Sequence, residues 1–309
     1  MIETFLTSGA VLLRIFSNPF GNVFQKQLTK DNHPLLINFL TYMLLSFFCL
    51  FIVTSVHWQE LPQQFWIYSL LCGIAGALGN GFLVKALQKG DLSILGPINS
   101  YKSVIGLVTA IFLLREIPNL WGIMGIAFII YGSYFVLDTT EERFTWALLK
   151  KSEIQYRIGA MILSAIEAVF IKKIILASSV TLAFASWCWF GALFSFLLLF
   201  VYRLDLKKEI RKVDRSNIRK YFFLIVCVGT MQLTTNYTFD HMPVGYALSL
   251  FQLSTIVSVL LGHRLFQEKD ILNKLIGTAI LIAGSVIIIL FLHCLIVISF
   301  SITKYNTFI

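Results

Sequence analysis

Ten apolar runs limit what this chain can fold into. They cover roughly residues 3–25, 35–56, 65–87, 92–114, 118–137, 157–176, 180–202, 221–241, 245–266 and 272–293. Each is close to the ~20 residues a helix needs to cross a bilayer. Runs of that length joined by short connections leave no room for a water-soluble core. Of the 309 residues, 57% are hydrophobic and 13% charged, against roughly a quarter charged in an ordinary soluble domain. The expected fold is all-α and integral to the membrane, with ten transmembrane helices. The last run stays apolar through Ile302, so its helix would tilt or project beyond the hydrocarbon.

The net charge of +9 does not point to nucleic acid. Most lysines and arginines sit in the connections between runs, where they mark membrane topology, and no soluble basic face with interleaved aromatics exists to carry them. The stretch Arg203–Lys220 alone holds Arg203, Lys207, Lys208, Arg211, Lys212, Arg215, Arg219 and Lys220. It reads most simply as a topology signal lying against anionic headgroups. The connection Val56–Gln64 has no Lys or Arg, so the charge bias places both termini outside. The five cysteines lie in apolar runs without metal-ligand or CxxC spacing, which implies neither a disulfide framework nor a metal site. The opening MIETFLTSGAVLLR lacks the basic start of a secretory signal and reads as the beginning of the first span. There is no GxxxxGK[ST], HExxH or GxSxG. ATP-driven, metalloprotease and serine-hydrolase chemistry are therefore unsupported, and no cofactor is expected.

The chain repeats itself. A shift of 152 residues lays Leu114-Arg115-Glu116 on Phe266-Gln267-Glu268, Gly125 on Gly277, and Gly132-Ser133 on Gly284-Ser285. Nearer the start of each half, a shift of 146 lays Val23-Phe24-Gln25-Lys26 on Val169-Phe170-Ile171-Lys172. The units are 1–137 and 157–309, joined by the connection 138–156, in which Phe144 and Trp146 suit an interface. Five spans per unit is an odd number, so the second copy enters the membrane in the opposite direction. Inverted pairs of this kind build many secondary transporters, with the site near the midplane between the halves.

These residues resemble the EamA-type transporters of the drug/metabolite transporter superfamily. The resemblance is carried by Ala86–Leu137 and Thr238–Leu290, each with a glutamate turn and paired glycines, and by the small-residue pattern Ser17–Lys26. It implies a metabolite carrier without ATP hydrolysis, in a bacterial inner membrane. The implied pocket is lined by spans one, three and four and by six, eight and nine. It also implies termini inside, against the charge bias.

Lys102 is the residue the fold does not explain. It sits near the middle of Leu92–Leu114, where a lysine costs ~2.5–3.5 kcal/mol on insertion scales. Asn99 and Ser103 share its helical face, and Pro97 in the preceding turn could free a carbonyl. Lys102 is a cavity lysine that binds an anionic group, a structural lysine paired with a carboxylate, or one that snorkels toward an interface. Its repeat partner is Ser254, so the pocket would be chemically lopsided. Glu167, near the middle of span six, is its counter-ion or a proton-accepting group. Arg14 is deep if the first span starts at Ile2 and shallow if it starts near Gly9. Asn18, Asn22 and Gln25 face the bundle, because their amides need partners. Asn80, Gln232, Asn236, Gln252, Ser254 and Thr255 either recognise a ligand or join helices. The glycines Gly73, Gly76, Gly79, Gly122, Gly125 and Gly277 serve close packing, and Glu116 and Glu268 cap a helix or pair with a lysine.

The function that follows is secondary active transport of a small anionic or zwitterionic metabolite by alternating access. Its partners are that substrate and the lipid bilayer, with a coupled proton or sodium ion and a homodimer left open. The alternative is a membrane-embedded enzyme acting on lipids or lipid-linked substrates, with Lys102 and Glu167 catalytic.

Overall fold

The computed structural model describes residues 2–53, 58–92, 95, 98, 102, 105, 120–138, 150–268, 271–272, 274–284 and 286–287. Asn99, Pro97, Ser103 and Glu116 fall outside this set. Among the described residues the chain is all-helical. In order the helices are α1 (Ile2–Leu28), α2 (Pro34–Ile52), α3 (Gln63–Lys89), α4 (Leu120–Asp138), α5 (Ser152–Ala177), α6 (Val180–Val201), the short α7 (Leu206–Ile210), α8 (Arg215–His241), α9 (Val244–Phe251), α10 (Ser254–Phe266) and α11 (Lys274–Gly284). Leu92, Leu95, Ile98, Lys102 and Ile105 are also helical.

Local chemistry sets several helix starts. Pro34 opens α2 behind His33, whose Nδ1 accepts from Leu35 N at 3.3 Å. Ser179, Asp205 and Asp214 cap α6, α7 and α8 by accepting from the backbone three residues on. Such caps satisfy amides that the first turn leaves without intrahelical partners.

Among the described residues, five segments are long and apolar enough to cross a membrane: Pro34–Ile52, Gln63–Lys89, Val180–Val201, Asn217–His241 and Val244–Phe266. Helices α1 and α5 have spanning length but carry Arg14, Asn18 and Asn22, and Arg157 and Glu167, among their apolar residues. Large apolar side chains such as Phe5, Phe47, Phe51, Phe200 and Phe222 face outward, as lipid-facing residues do.

Span nine departs from the expectation of one continuous helix over 245–266. It breaks at Gln252-Leu253. There the backbone tightens to three-residue hydrogen bonds, Gln252 N to Ser249 O, Leu253 N to Leu250 O and Thr255 N to Gln252 O. Two side chains cover the disturbed turn: Gln252 Nε2 donates to Leu248 O at 3.1 Å, and Ser254 Oγ to Phe251 O at 2.6 Å.

The helices pair across the two halves. Helix α3 packs chiefly along α5, α1 along α8, and α2 along α6. The largest core cluster joins Ile15, Tyr42, Cys72, Val169, Trp187, Phe239 and Leu248 from both halves.

The repeated glycines meet each other. A Cβ on Gly132 would lie 2.8 Å from Gly277 O and 2.7 Å from Leu281 N, and one on Gly284 would lie 2.5 Å from Gly125 O. Helices α4 and α11 therefore approach to backbone contact at reciprocal positions, which only glycine permits. Gly284→Ala is expected to lower stability by about 1–3 kcal/mol, the usual cost of forcing an extra methyl into a packed contact. Thermal unfolding in detergent checks this, and an unchanged midpoint would show that the helices can separate at no cost.

Candidate functional site

A polar cavity of about 110 Å³ lies inside the bundle, lined from both halves. Helix α1 contributes Arg14, Asn18 and Asn22, α3 Asn80, and span four Lys102. From the second half come Arg157 and Glu167 on α5, Trp187 on α6, and Gln232 and Thr235 on α8.

The placement of Lys102 follows from helical spacing. Leu92, Leu95 and Ile98 are buried, and the next position on that face is 102. The lysine thus continues an inward face, and its half-buried side chain reaches the cavity. Glu167 faces it across the cavity, and the two interact electrostatically. The Glu167 carboxylate accepts from Trp187 Nε1 at 2.6 Å and presses against α3 at Gly76, where a Cβ would lie 2.5 Å from Oε1. Tyr42 packs against Trp187 with the rings tilted by 57° and 4.6 Å between ring centres. Its hydroxyl reaches the same glycine, 3.1 Å from where a Cβ would stand.

Arg14 lies three turns inside α1, which starts at Ile2. It is buried, donates from Nε to Thr235 Oγ1 at 2.8 Å, and lies over the Phe251 ring at 4.8 Å. Its Nη1 has no hydrogen-bond partner among the described residues. A buried donor of that kind costs about 1–3 kcal/mol unless something accepts from it.

Arg157 was not anticipated. The expected span six opened at residue 157, whereas α5 opens at Ser152 and so carries Arg157 into the bundle. Ile154, Ile158 and Met161 were the available signal: with Arg157 they form one helical face. Its Nε donates to Leu95 O at 2.8 Å and ties α5 to span four. The cavity therefore gathers three cationic side chains and one carboxylate, an excess positive charge in a poorly solvated site, which strengthens attraction for an anion.

The amides divide. Asn80 lines the cavity but is engaged on both sides: its Oδ1 accepts from Gln25 Nε2 at 3.2 Å and its Nδ2 donates to Asn38 Oδ1 at 2.5 Å, so it joins α1, α2 and α3. Gln232 lines the cavity, and its side-chain amide meets that of Asn236 at 2.8 Å. Asn236, Gln252 and Ser254 are buried but do not line the cavity. Gln252 and Ser254 are turned onto the broken span nine, for the reason given above. In place of span nine, spans two and seven enter through Tyr42 and Trp187.

Beyond Gln25, α1 ends on a cross-link between the halves. Lys26 Nζ donates to Gly90 O at 2.9 Å and to Glu268 Oε1 at 3.1 Å. The same Oε1 accepts from Leu92 N at 2.8 Å, at the start of span four. Lys26 thus caps the end of α3, and Glu268 from the other half caps the start of span four, so the alternatives of helix cap and lysine partner are both realised. The repeat equivalent of Lys26, Lys172, likewise donates to Phe239 O and to Asp240 O at the end of α8.

A bundle of membrane-spanning helices around a charged internal cavity defines a multi-pass integral membrane protein with an internal polar site. The chain belongs to the EamA-like transporter family, whose model matches residues 9–138 and again residues 151–290. A crystal structure of another protein superposes with a TM-score of 0.72 over 93% of this chain and 99% of its own, at 16% identity, which shows a shared fold. No curated protein matches the chain.

Proposed function

We propose that the protein is a secondary active transporter that moves a small anionic or zwitterionic metabolite by alternating access, without ATP hydrolysis. It crosses a bacterial inner membrane ten times, as two inverted five-helix repeats. The observation that carries this reading is the central cavity, whose charged groups come from both halves: Lys102 and Arg14 from the first, Arg157 and Glu167 from the second. A ligand held there touches both halves, so it can bias their relative position. Support for the two-fold relation comes from the packing. The pairing of α1 with α8 is the repeat counterpart of α5 with α3, and the Gly132 and Gly284 contacts are reciprocal. Membership of a transporter family favours transport over the lipid-enzyme reading.

In this reading Lys102 and the free Nη1 of Arg14 bind the anionic group. Glu167, fixed by Trp187, is counter-ion to Lys102 or takes a coupling proton or sodium ion. The test is a metabolite screen by thermal stabilisation of the purified protein, followed by uptake of the hits into proteoliposomes with and without an imposed ion gradient. Accumulation driven by the gradient is expected. Stabilisation only by neutral or cationic compounds, or flux that requires ATP, would overturn the reading.

Gly76 supplies a further check. Its α3 backbone leaves the space into which the Glu167 carboxylate fits, so Gly76→Ala must displace that carboxylate. Flux of the screened metabolite is expected to fall at least about tenfold, the equivalent of 1.4 kcal/mol. Wild-type flux in this variant would remove Glu167 from the site.

A further inference from the structure

Two apolar grooves run along the outside of the bundle, and they are repeat equivalents. One lies between α2 and α8 and is lined by Leu44, Phe48, Phe222, Val226 and Leu233, with a volume of about 600 Å³. The other, of about 570 Å³, lies between α6 and α3 and includes Phe190, Leu193 and Trp66. The repeat shifts that align the sequence lay Trp66 on Ile218 and Leu44 on Phe190, and each member of these pairs lines its own groove.

The mouths differ. The α2/α8 groove opens at Val213 and Ile218, inside the basic stretch. There Lys207, Lys208, Arg211, Arg215 and Arg219 are exposed. The acids of that stretch are engaged: Asp205 and Asp214 cap α7 and α8, and Glu209 accepts from Lys212 at 2.6 Å. The stretch that supplies Val213 and Ile218 to the groove therefore carries a net positive charge, with eight basic against three acidic side chains over 203–220. The α3/α6 groove has Trp58, Trp66 and Trp189 at its mouth, and the connection 56–64 has no Lys or Arg. The same scaffold carries a basic mouth on one side and an aromatic one on the other.

From Ile218 to Leu233 the groove follows α8 for about 22 Å at 1.5 Å per residue. That exceeds the ~15 Å depth of one leaflet's hydrocarbon, so a chain entering from the basic end is accommodated along its length. We propose that the α2/α8 groove is a binding site for one anionic phospholipid, with an acyl chain in the groove and the phosphate on the basic mouth. Charge-assisted hydrogen bonds from arginine and lysine to phosphate oxygens supply the selectivity, and the apolar wall supplies the hold. Helix α2 belongs to the first half and α8 to the second, so the bound lipid bridges the halves. This inference rests on the groove and its charges, and stands whether or not the central cavity binds a metabolite.

The test uses the full chain, purified in detergent and offered equimolar phosphatidylglycerol and phosphatidylcholine, with retained lipid read by native mass spectrometry. The wild type is expected to retain one phosphatidylglycerol with at least tenfold preference, and 0.5 M salt is expected to collapse that preference by screening. The combined variant Lys207→Gln, Lys208→Gln, Arg211→Gln, Arg215→Gln, Arg219→Gln leaves the Lys212–Glu209 pair intact and is expected to lose the preference. Val226→Trp, which fills the groove, is expected to lose the bound lipid altogether. Equal retention of both lipids by the wild type, a preference insensitive to salt, or wild-type retention by either variant overturns the proposal. The salt arm needs no mutation, so a variant that fails to fold does not decide the outcome.

Discussion

Lys102→Ala abolishes transport while the protein stays folded: that is the expected result of removing a cavity lysine that the second copy of the repeat does without. Its repeat partner is Ser254, so the fold accepts a small neutral side chain at this position. The lysine extends the face of Leu92, Leu95 and Ile98 into a cavity that it shares with Glu167 and Arg14. Truncating a buried charged contact of this type costs about 2–5 kcal/mol in binding, and 3 kcal/mol is roughly a hundredfold. The competing account makes Lys102 a structural partner of Glu167. The two separate in the double variant Lys102→Met, Glu167→Gln, which removes both charges and leaves neither uncompensated. If the pair is structural, the double variant recovers both stability and flux. If Lys102 binds substrate, or if Glu167 takes the coupling ion, the double variant recovers stability and stays inactive, and binding of the screened metabolite to Lys102→Met alone separates these two. Flux into proteoliposomes is read beside thermal unfolding, and an active double variant would sink the binding role.

The second large effect is expected at the cross-link beyond the cavity. The side chains of Lys26 and Glu268 are only 14% and 4% exposed, and Glu268 holds both the lysine and the Leu92 amide. Glu268→Ala leaves the Leu92 amide without its acceptor and leaves Lys26 with Gly90 O and the more exposed Asp91, 3.9 Å away. Removing one member of a buried pair costs about 3–5 kcal/mol, and the remaining partners of Lys26 put the expected loss at the lower end of that range. Replacing both, Lys26→Met with Glu268→Leu, is expected to regain the part of the loss that belongs to the cation, because two apolar groups need no partner, while the Leu92 amide stays unpaired. A double-mutant cycle by chemical or thermal unfolding measures the coupling, and a value under about 0.5 kcal/mol would mean that the two residues act independently. The same link spans the two halves, so the rescued variant also bears on transport. Cysteine placed at Asn22 is expected to react faster with a membrane-impermeant thiol reagent once the link is gone.

Much of this was legible in the residue order. Helical spacing put Lys102 on one face with Asn99 and Ser103. The repeat named the glycines that meet at α4 and α11, and it named Glu268 as a residue serving a cap or a lysine. The length of the first apolar run left Arg14 deep or shallow, and the structure adds that its side chain is buried inside the bundle against Thr235 and Phe251. Arg157 was missed because a charged residue at the edge of an apolar run looks like the end of the run. Gln252 and Ser254 read as pocket residues because polar side chains in a span need partners, and a sequence does not tell whether the partner is a ligand or the residue's own backbone.

The sequence by itself determined the class of protein, the repeat and the presence of charges that a bilayer does not tolerate without compensation. These follow from local composition and periodicity, which depend on neighbours along the chain. Only the tertiary structure decided which charges share a chamber, that Trp187 fixes Glu167, that the Nη1 of Arg14 is left free, and that span nine is broken at Gln252. Each of these joins groups remote in sequence, such as Arg14 with Thr235, or balances a helix's own hydrogen bonds against its packing. The periodicity of one segment contains no information about the surface that another presents to it.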